Sequence, residues 1–298
     1  MNNTKKRGWQ KFIVFALVVV LVLVFTAGCA SSGQEPAPQG EEKATINIGY
    51  VNWAECIAVS NLWKVLLEER GYEVNLKQLD VAPLFTGLSK GDLDLFMDAW
   101  LPITHETYWA EFKDGLEDYG IWYQEPAKIG VTVPTYVTID SIEQLKDEAE
   151  KFNNQIIGID PGAGIMKAAA RANESYELGF EVVQGSEMAM MAALEKAYAK
   201  KDWIAITGWS PHWMFAKYDL KYLEDPKGDF GEAEEIHILA NKDFSTKEPD
   251  VAAMLKKFKM SDAQIGSLEA LITEGMEPID AAKQWIQDNQ DAVDSWMK

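Results

Sequence analysis

From Thr45 to Asn52 apolar and polar residues alternate as in a strand, and from Ala54 to Arg70 the apolar positions take helical spacing until Gly71 ends the run. Val74 to Leu79 reads as the next strand, Pro83 to Lys90 as a short helix and Leu93 to Asp98 as a third strand. This is a parallel βαβ order, which the crossover rule makes right-handed. Lys128 to Pro134 is a further apolar strand. A second set of elements then follows: helix Ser141 to Phe152, strand Ile156 to Asp160, helix Gly164 to Ala172, strand Glu181 to Val183, a long helix from Ser186 to near Lys201, and strand Trp203 to Thr207. Ile236 to Ala240 is a strand that returns the chain to the first set, and helices begin at Pro249, Asp262 and Pro278. The pattern predicts two α/β lobes, 45–134 plus 241–298 and 135–240, joined by two chain crossings that form a hinge.

Two of the predicted strands end alike. Asp98-Ala99-Trp100-Leu101-Pro102 is followed by His105, and Gly208-Trp209-Ser210-Pro211 by His212-Trp213. Proline cannot donate to a sheet ladder and is excluded from helix interiors, so each tryptophan is presented where a strand gives way to a loop. Ligands bind at such strand ends in open α/β sheets. Trp53, at the end of the first strand, can project into the same cleft. Most of the other tryptophans belong to packing.

The first residues carry Lys5, Lys6, Arg7 and Lys11, then an apolar run from Phe12 to Phe25, then small residues up to Cys29. The run is shorter than the roughly 20 residues of a bilayer span, so residues 1–28 read as a secretory signal. Small residues before Cys29 resemble a bacterial lipobox, with Thr26 in place of the usual leucine, and imply lipidation of Cys29. The polar, Gly/Pro-containing stretch 29–44 reads as a lipid-anchored flexible linker.

The chain of 298 residues has a formal net charge of −19, and the leader holds four basic and no acidic residues, so the mature form stands at −23. Such a surface excludes nucleic acid as a partner. With Cys56 the one cysteine besides Cys29, no disulfide closes within the mature chain and no cysteine-based metal site forms. The histidines His105, His212 and His237 show no zinc pattern, and no Gly-x-Ser-x-Gly elbow occurs. Neither a metal nor a cofactor is expected. The turn Gly158-Ile159-Asp160-Pro161-Gly162-Ala163-Gly164-Ile165 lacks the lysine of a phosphate loop, yet its free N–H groups open a helix and suit an anion such as a carboxylate. The aromatic strand ends suit the opposite charge. A quaternary ammonium has no N–H to donate, and ring faces hold it with about 2 kcal/mol or more per desolvated contact.

Together, Gly49-Tyr50-Val51-Asn52-Trp53-Ala54-Glu55, Ala82-Pro83-Leu84-Phe85-Thr86-Gly87-Leu88, Gly91-Asp92-Leu93-Asp94, Asp98 to Pro102, Gly158 to Gly162 and Trp209 to Trp213 resemble the glycine betaine substrate-binding proteins of osmoprotectant ABC transporters. The resemblance covers nearly the whole mature chain. It implies an α/β, two-lobed periplasmic-binding-protein-like fold of type II with the ligand cleft between the lobes. It also implies a trimethylammonium cage of Trp53, Trp100 and Trp209, with carboxylate contacts from the backbone N–H groups of Gly164 and Ile165 and from His105. His212 either orients a cage wall or touches the ligand's tail. The expected partners are a betaine-type solute, an ABC permease with its ATPase, and the membrane through the lipid on Cys29. Binding of choline or carnitine, or of a sugar, and a hydrolase using His105 or His212 as base, are the competing readings.

Overall fold

The computed structural model describes residues 44–298. The signal segment, Cys29 and all of the linker except its last residue lie outside the described residues. The first stretch runs β1 (Thr45–Tyr50), α1 (Ala54–Glu68), β2 (Glu73–Gln78), α2 (Val81–Lys90), β3 (Leu95–Leu101), α3 (Glu106–Phe112) and β4 (Leu116–Ile121). The second runs β5 (Lys128–Pro134), a 3₁₀ helix (Ile142–Phe152), β6 (Gln155–Ile157), α4 (Gly164–Ser175), β7 (Glu181–Val183), α5 (Glu187–Lys200), β8 (Ala205–Ser210), α6 (Met214–Lys217) and β9 (Leu220–Tyr222). The chain then continues through β10 (Glu235–Asn241) into α7 (Phe244–Lys247), α8 (Pro249–Lys257), α9 (Asp262–Thr273), α10 (Pro278–Asp288) and α11 (Gln290–Met297).

These strands build two five-stranded sheets, ordered β2-β1-β3-β10-β4 and β7-β6-β8-β5-β9. Within the first, β1 runs parallel to β2 and β3, while β10 is antiparallel to β3 and β4. The second repeats the plan, with β6 parallel to β7 and β8 and with β5 antiparallel to β8 and β9. Each sheet thus takes one antiparallel strand from beyond its own βαβ run, and those strands sit beside the chain crossings. Where the two crossings meet, Ala127 and Glu234 form an isolated antiparallel bridge.

Sheet membership corrects the boundaries expected from the sequence. Lys128–Pro134 was expected in the first lobe, but it pairs between β8 and β9 in the second sheet. The segment 235–240, expected within the second lobe's range, pairs between β3 and β4 in the first. Both strands are largely buried, and an apolar run shows that a strand lies inside a sheet without showing which sheet. The Ser141–Phe152 segment is helical but wound as 3₁₀, and its start is secured by a capping box between Ser141 and Gln144. The helix from Pro278 stops at Asn289 and a further one follows. Short elements β4, α3 and β9 carried too few residues to show a period.

Helix α1 lies against the first sheet and is gripped from behind by α9 and α10. Much of its length is buried, including Leu62, Trp63 and Leu66. Phe258 anchors the packing beneath it. Its ring meets Trp63 edge-on at 5.3 Å, stacks on Trp122 at 5.7 Å and meets Trp296 edge-on at 4.7 Å. Trp63, Trp122 and Phe258 have no exposed surface, so the site-bearing end of α1 extends from a rigid aromatic base. Phe258→Ala is expected to lower unfolding stability by about 3–5 kcal/mol. Urea denaturation checks this, and a loss below about 1 kcal/mol would contradict the assignment of Phe258 as the anchor.

Candidate functional site

Both tryptophan–proline motifs lie where expected, at the ends of β3 and β8, although the strands run through Trp100 and Trp209 instead of stopping before them. Leu101-Pro102 and Ser210-Pro211 are both cis. Trp53 is the residue before the first turn of α1. The three rings border one small cavity, together with Gly164, Ile165 and Glu55. Trp53, Trp100 and Trp209 are 5 %, 3 % and 3 % exposed, so the lobes close over them.

Each indole N–H is held by a carboxylate. Trp100 Nε1 donates to Asp98 Oδ1 at 2.9 Å within the first lobe. The other two bonds cross the cleft: Trp209 Nε1 donates to Glu55 Oε2 at 2.9 Å, and Trp53 Nε1 to Asp160 Oδ2 at 3.3 Å. With the polar edges committed, the rings offer the cavity their apolar and quadrupolar surfaces.

The electrostatic setting favours a cation. Burial pushes the carboxyls of Glu55 and Asp98 well above the usual carboxylate range, and repulsion from Glu187 and, at Glu55, from Asp98 adds to it. Donation from the two indoles opposes this shift but does not cancel it. Acids held neutral at this cost become favourable partners once a positive charge enters the same dry space.

At the turn before α4, Ala163 is the N-cap residue and its side chain caps nothing. The N–H groups of Gly164 and Ile165, in the first turn of a helix, have no intrahelical acceptor. They border the cavity. Gly164 must be glycine for a tertiary reason: a Cβ there would come within 2.0 Å of the Thr104 carbonyl oxygen, on the other lobe.

His105 is fully buried and does not itself border the cavity. Its Nδ1 accepts the Trp100 backbone N–H at 2.9 Å, which places the ring proton on Nε2. That Nε2 is buried without a partner. The ring stacks on Trp53 with centroids 5.9 Å apart and meets Phe85 edge-on at 5.5 Å. Burial, then the charge of Lys167, pushes its pKa down to about 3, so it is a neutral donor. His212 stays away from the cavity as well. Its Nδ1 accepts the Met214 N–H at 2.9 Å, its Nε2 faces Glu187 Oε1 at 3.1 Å, and its ring stands edge-on to Trp209 at 4.6 Å. His237 lies elsewhere, bonded to Asp118 and Glu235.

Sequence reasoning thus named five residues that meet around one cavity, and two histidines that stand just outside it. It missed Thr104, the carboxylates that hold the indoles, and Glu187. Asp98 lies two residues before the tryptophan it holds, and this spacing was the available signal; Glu55 adjoins Trp53 in the chain but holds Trp209, 154 residues away. Asp160 and Glu187 carried none, because their partners are far away in the chain.

A small aromatic cleft between two α/β lobes, with a helix N-terminus at its wall, defines a solute-binding protein that closes around its ligand. Residues 44–288 match the family model described as the substrate binding domain of the ABC-type glycine betaine transport system, and the chain belongs to that family. Over 162 residues it is 38 % identical to the glycine betaine/carnitine transport binding protein GbuC of Listeria monocytogenes, an alignment covering 53 % of this chain and 54 % of that relative. The chain thus spans about half the length of this curated relative. Over 279 residues it is 25 % identical to the glycine betaine/proline betaine-binding periplasmic protein of Salmonella typhimurium, covering 78 % of this chain and 82 % of the relative. Among solved structures it superposes on lactococcal OpuAC, in its closed-liganded conformation complexed with glycine betaine, with TM-score 0.81 and 37 % identity over 86 % of this chain and 100 % of that one. The protein is an extracytoplasmic substrate-binding component of an ABC importer. A substrate-binding domain holds its solute without converting it, which sets aside the hydrolase reading.

The Gly164–Thr104 approach carries a prediction about closure. Gly164→Ala is expected to hold the lobes apart and to weaken ligand binding by about tenfold or more, the usual cost of overpacking. Small-angle scattering with a ligand that compacts the wild type checks it; equal compaction of the variant would refute it.

Proposed function

We propose that this chain captures glycine betaine, or a closely related quaternary ammonium osmoprotectant such as proline betaine, and delivers it to the permease and ATPase of its transporter. The observation that carries the reading is the meeting of Trp53, Trp100 and Trp209 with the start of α4 around one small cavity. Such a cavity serves a ligand with a methylated cation at one end and a carboxylate at the other. The three ring surfaces take the trimethylammonium group, and Glu55 and Asp98 supply negative charge next to them. The N–H groups of Gly164 and Ile165 take the carboxylate, and the unpartnered Nε2–H of His105, which stands just behind the cavity wall, becomes a third donor once the ligand is seated. His212 acts on the Trp209 wall and not on the ligand. Because the ligand touches both lobes, its binding favours the closed state.

In the same proposal residues 1–28 are a signal peptide, Cys29 carries the lipid that tethers the protein outside the cell membrane, and 29–44 is the flexible linker. Choline and carnitine are the alternative ligands. Choline lacks the carboxylate that the Gly164 turn is built to receive, so its binding is weaker.

Titration of tryptophan fluorescence with glycine betaine, proline betaine, carnitine and choline tests the reading. Saturable change with glycine betaine, and weaker binding of choline, are expected; no response to any of the four would overturn it. In the same assay Trp100→Ala is expected to weaken glycine betaine binding by about 30-fold or more, since one desolvated ring contact is worth about 2 kcal/mol. His105→Ala should cost less, because two backbone donors remain. Equal losses would contradict this ranking.

The raised carboxyls lead to a proton prediction. In the empty cavity Glu55 and Asp98 keep their protons above the usual carboxylate range. A cation beside them lowers those values, so binding releases protons and affinity rises with pH from the usual carboxylate range up to the raised values. His105 adds nothing there, being neutral at every pH above about 3. Calorimetry in buffers of differing ionisation enthalpy should detect the released protons, and fewer of them from Glu55→Gln. Proton uptake on binding would show the sign to be wrong.

A further inference from the structure

Helix α1 begins at Ala54 and has no capping side chain of its own lobe, since its N-cap residue is Trp53. Its first N–H groups need acceptors from elsewhere. Ala54 N–H donates at 2.9 Å to Oε2 of Glu187, the first residue of α5 in the second lobe. The other oxygen, Oε1, lies 3.1 Å from His212 Nε2. Because His212 Nδ1 already accepts the Met214 N–H, Nε2 carries the proton and donates to Glu187. Glu187 is thus oriented by its own lobe and caps a helix of the other. It is 8 % exposed and does not border the ligand cavity.

We propose that Glu187 is a positioning residue that latches the lobes together, so that the start of α1, with the cage ring Trp53, is held only when the cleft is closed. This rests on the solute-binding reading above and deepens it. Donor and acceptor belong to different lobes, so opening breaks the bond and leaves both groups to water. A carboxylate on a helix N-terminus is a favourable charge–dipole pair, and burial strengthens it. Both Glu187 oxygens are engaged, one by the Ala54 N–H of the first lobe and one by His212 of the second. An interaction present only in the closed state slows ligand escape and leaves ligand entry unchanged.

Stopped-flow tryptophan fluorescence on the mature protein, with glycine betaine as the probe, tests this in wild type, Glu187→Ala and Glu187→Gln. Glu187→Ala should raise the dissociation rate about tenfold, with the association rate within about twofold of wild type. Glu187→Gln should resemble it, because its amide N–H₂ would confront the His212 N–H. A fall in association rate and in ligand-free melting temperature with an unchanged dissociation rate would overturn the latch and show a merely structural role. If the wild type gives no response to any methylated amine, the ligand assignment fails separately. The latch is then decided by small-angle scattering of the ligand-free proteins, where a larger radius of gyration in Glu187→Ala supports it and an identical one overturns it.

Discussion

The start of helix α1 is the point on which the site depends. Trp53, Ala54 and Glu55 are consecutive, and each reaches across the cleft: the indole of Trp53 to Asp160, the N–H of Ala54 to Glu187, the carboxyl of Glu55 to the indole of Trp209. Three bonds from one helix turn therefore align two of the three cage rings and join the lobes. The helix withstands this role because its far side is clamped by the aromatic packing around Phe258.

Charge is arranged around the same turn with little of it expressed. The cleft gathers Glu55, Asp98 and Glu187 in a space too dry for several bare carboxylates, and Glu269 adds its own charge at Glu55. The result is a buried, hydrogen-bonded group of acids, with the Glu55 and Asp98 carboxyls held well above the usual range, that becomes favourable to a cation when one arrives. His105 follows the opposite logic. It is buried so thoroughly that it cannot be a cation, and it serves as a fixed neutral donor beside the ring of Trp53. At the cavity wall the start of α4 offers backbone N–H groups, which suit an anion without a charged side chain.

Much of this was legible in one dimension. Trp100 and Trp209 stand out because proline forces each strand to end just beyond them, and Gly164 because a glycine turn precedes a helix. The lobes were legible as two runs of alternating strand and helix. The return of 236–240 to the first sheet was legible too, but the transfer of Lys128–Pro134 to the second was not, since it is an apolar strand in either assignment and its membership is decided by pairing partners far along the chain. His105 and His212 each follow a tryptophan and a proline, and only the family resemblance assigned them different parts, the carboxylate to His105 and a cage wall or the ligand's tail to His212. The tertiary contacts separate them: His105 has a buried orphan N–H, whereas His212 is used up by Glu187 and Met214.

The sequence by itself determined the class of fold, the three tryptophans that meet at the cavity and the glycine turn beside them, because each rests on local rules: periodicity, the missing N–H of proline, and the unpaired donors of a helix start. Only the tertiary structure decided what holds those pieces in place. The cross-cleft bonds of the Trp53 and Trp209 indoles, the close approach of Thr104 to Gly164 and the reach of Glu187 to Ala54 join segments from about sixty to more than a hundred and fifty residues apart. No local pattern encodes such pairs, since a buried carboxylate acquires its partner only when the two lobes close around it.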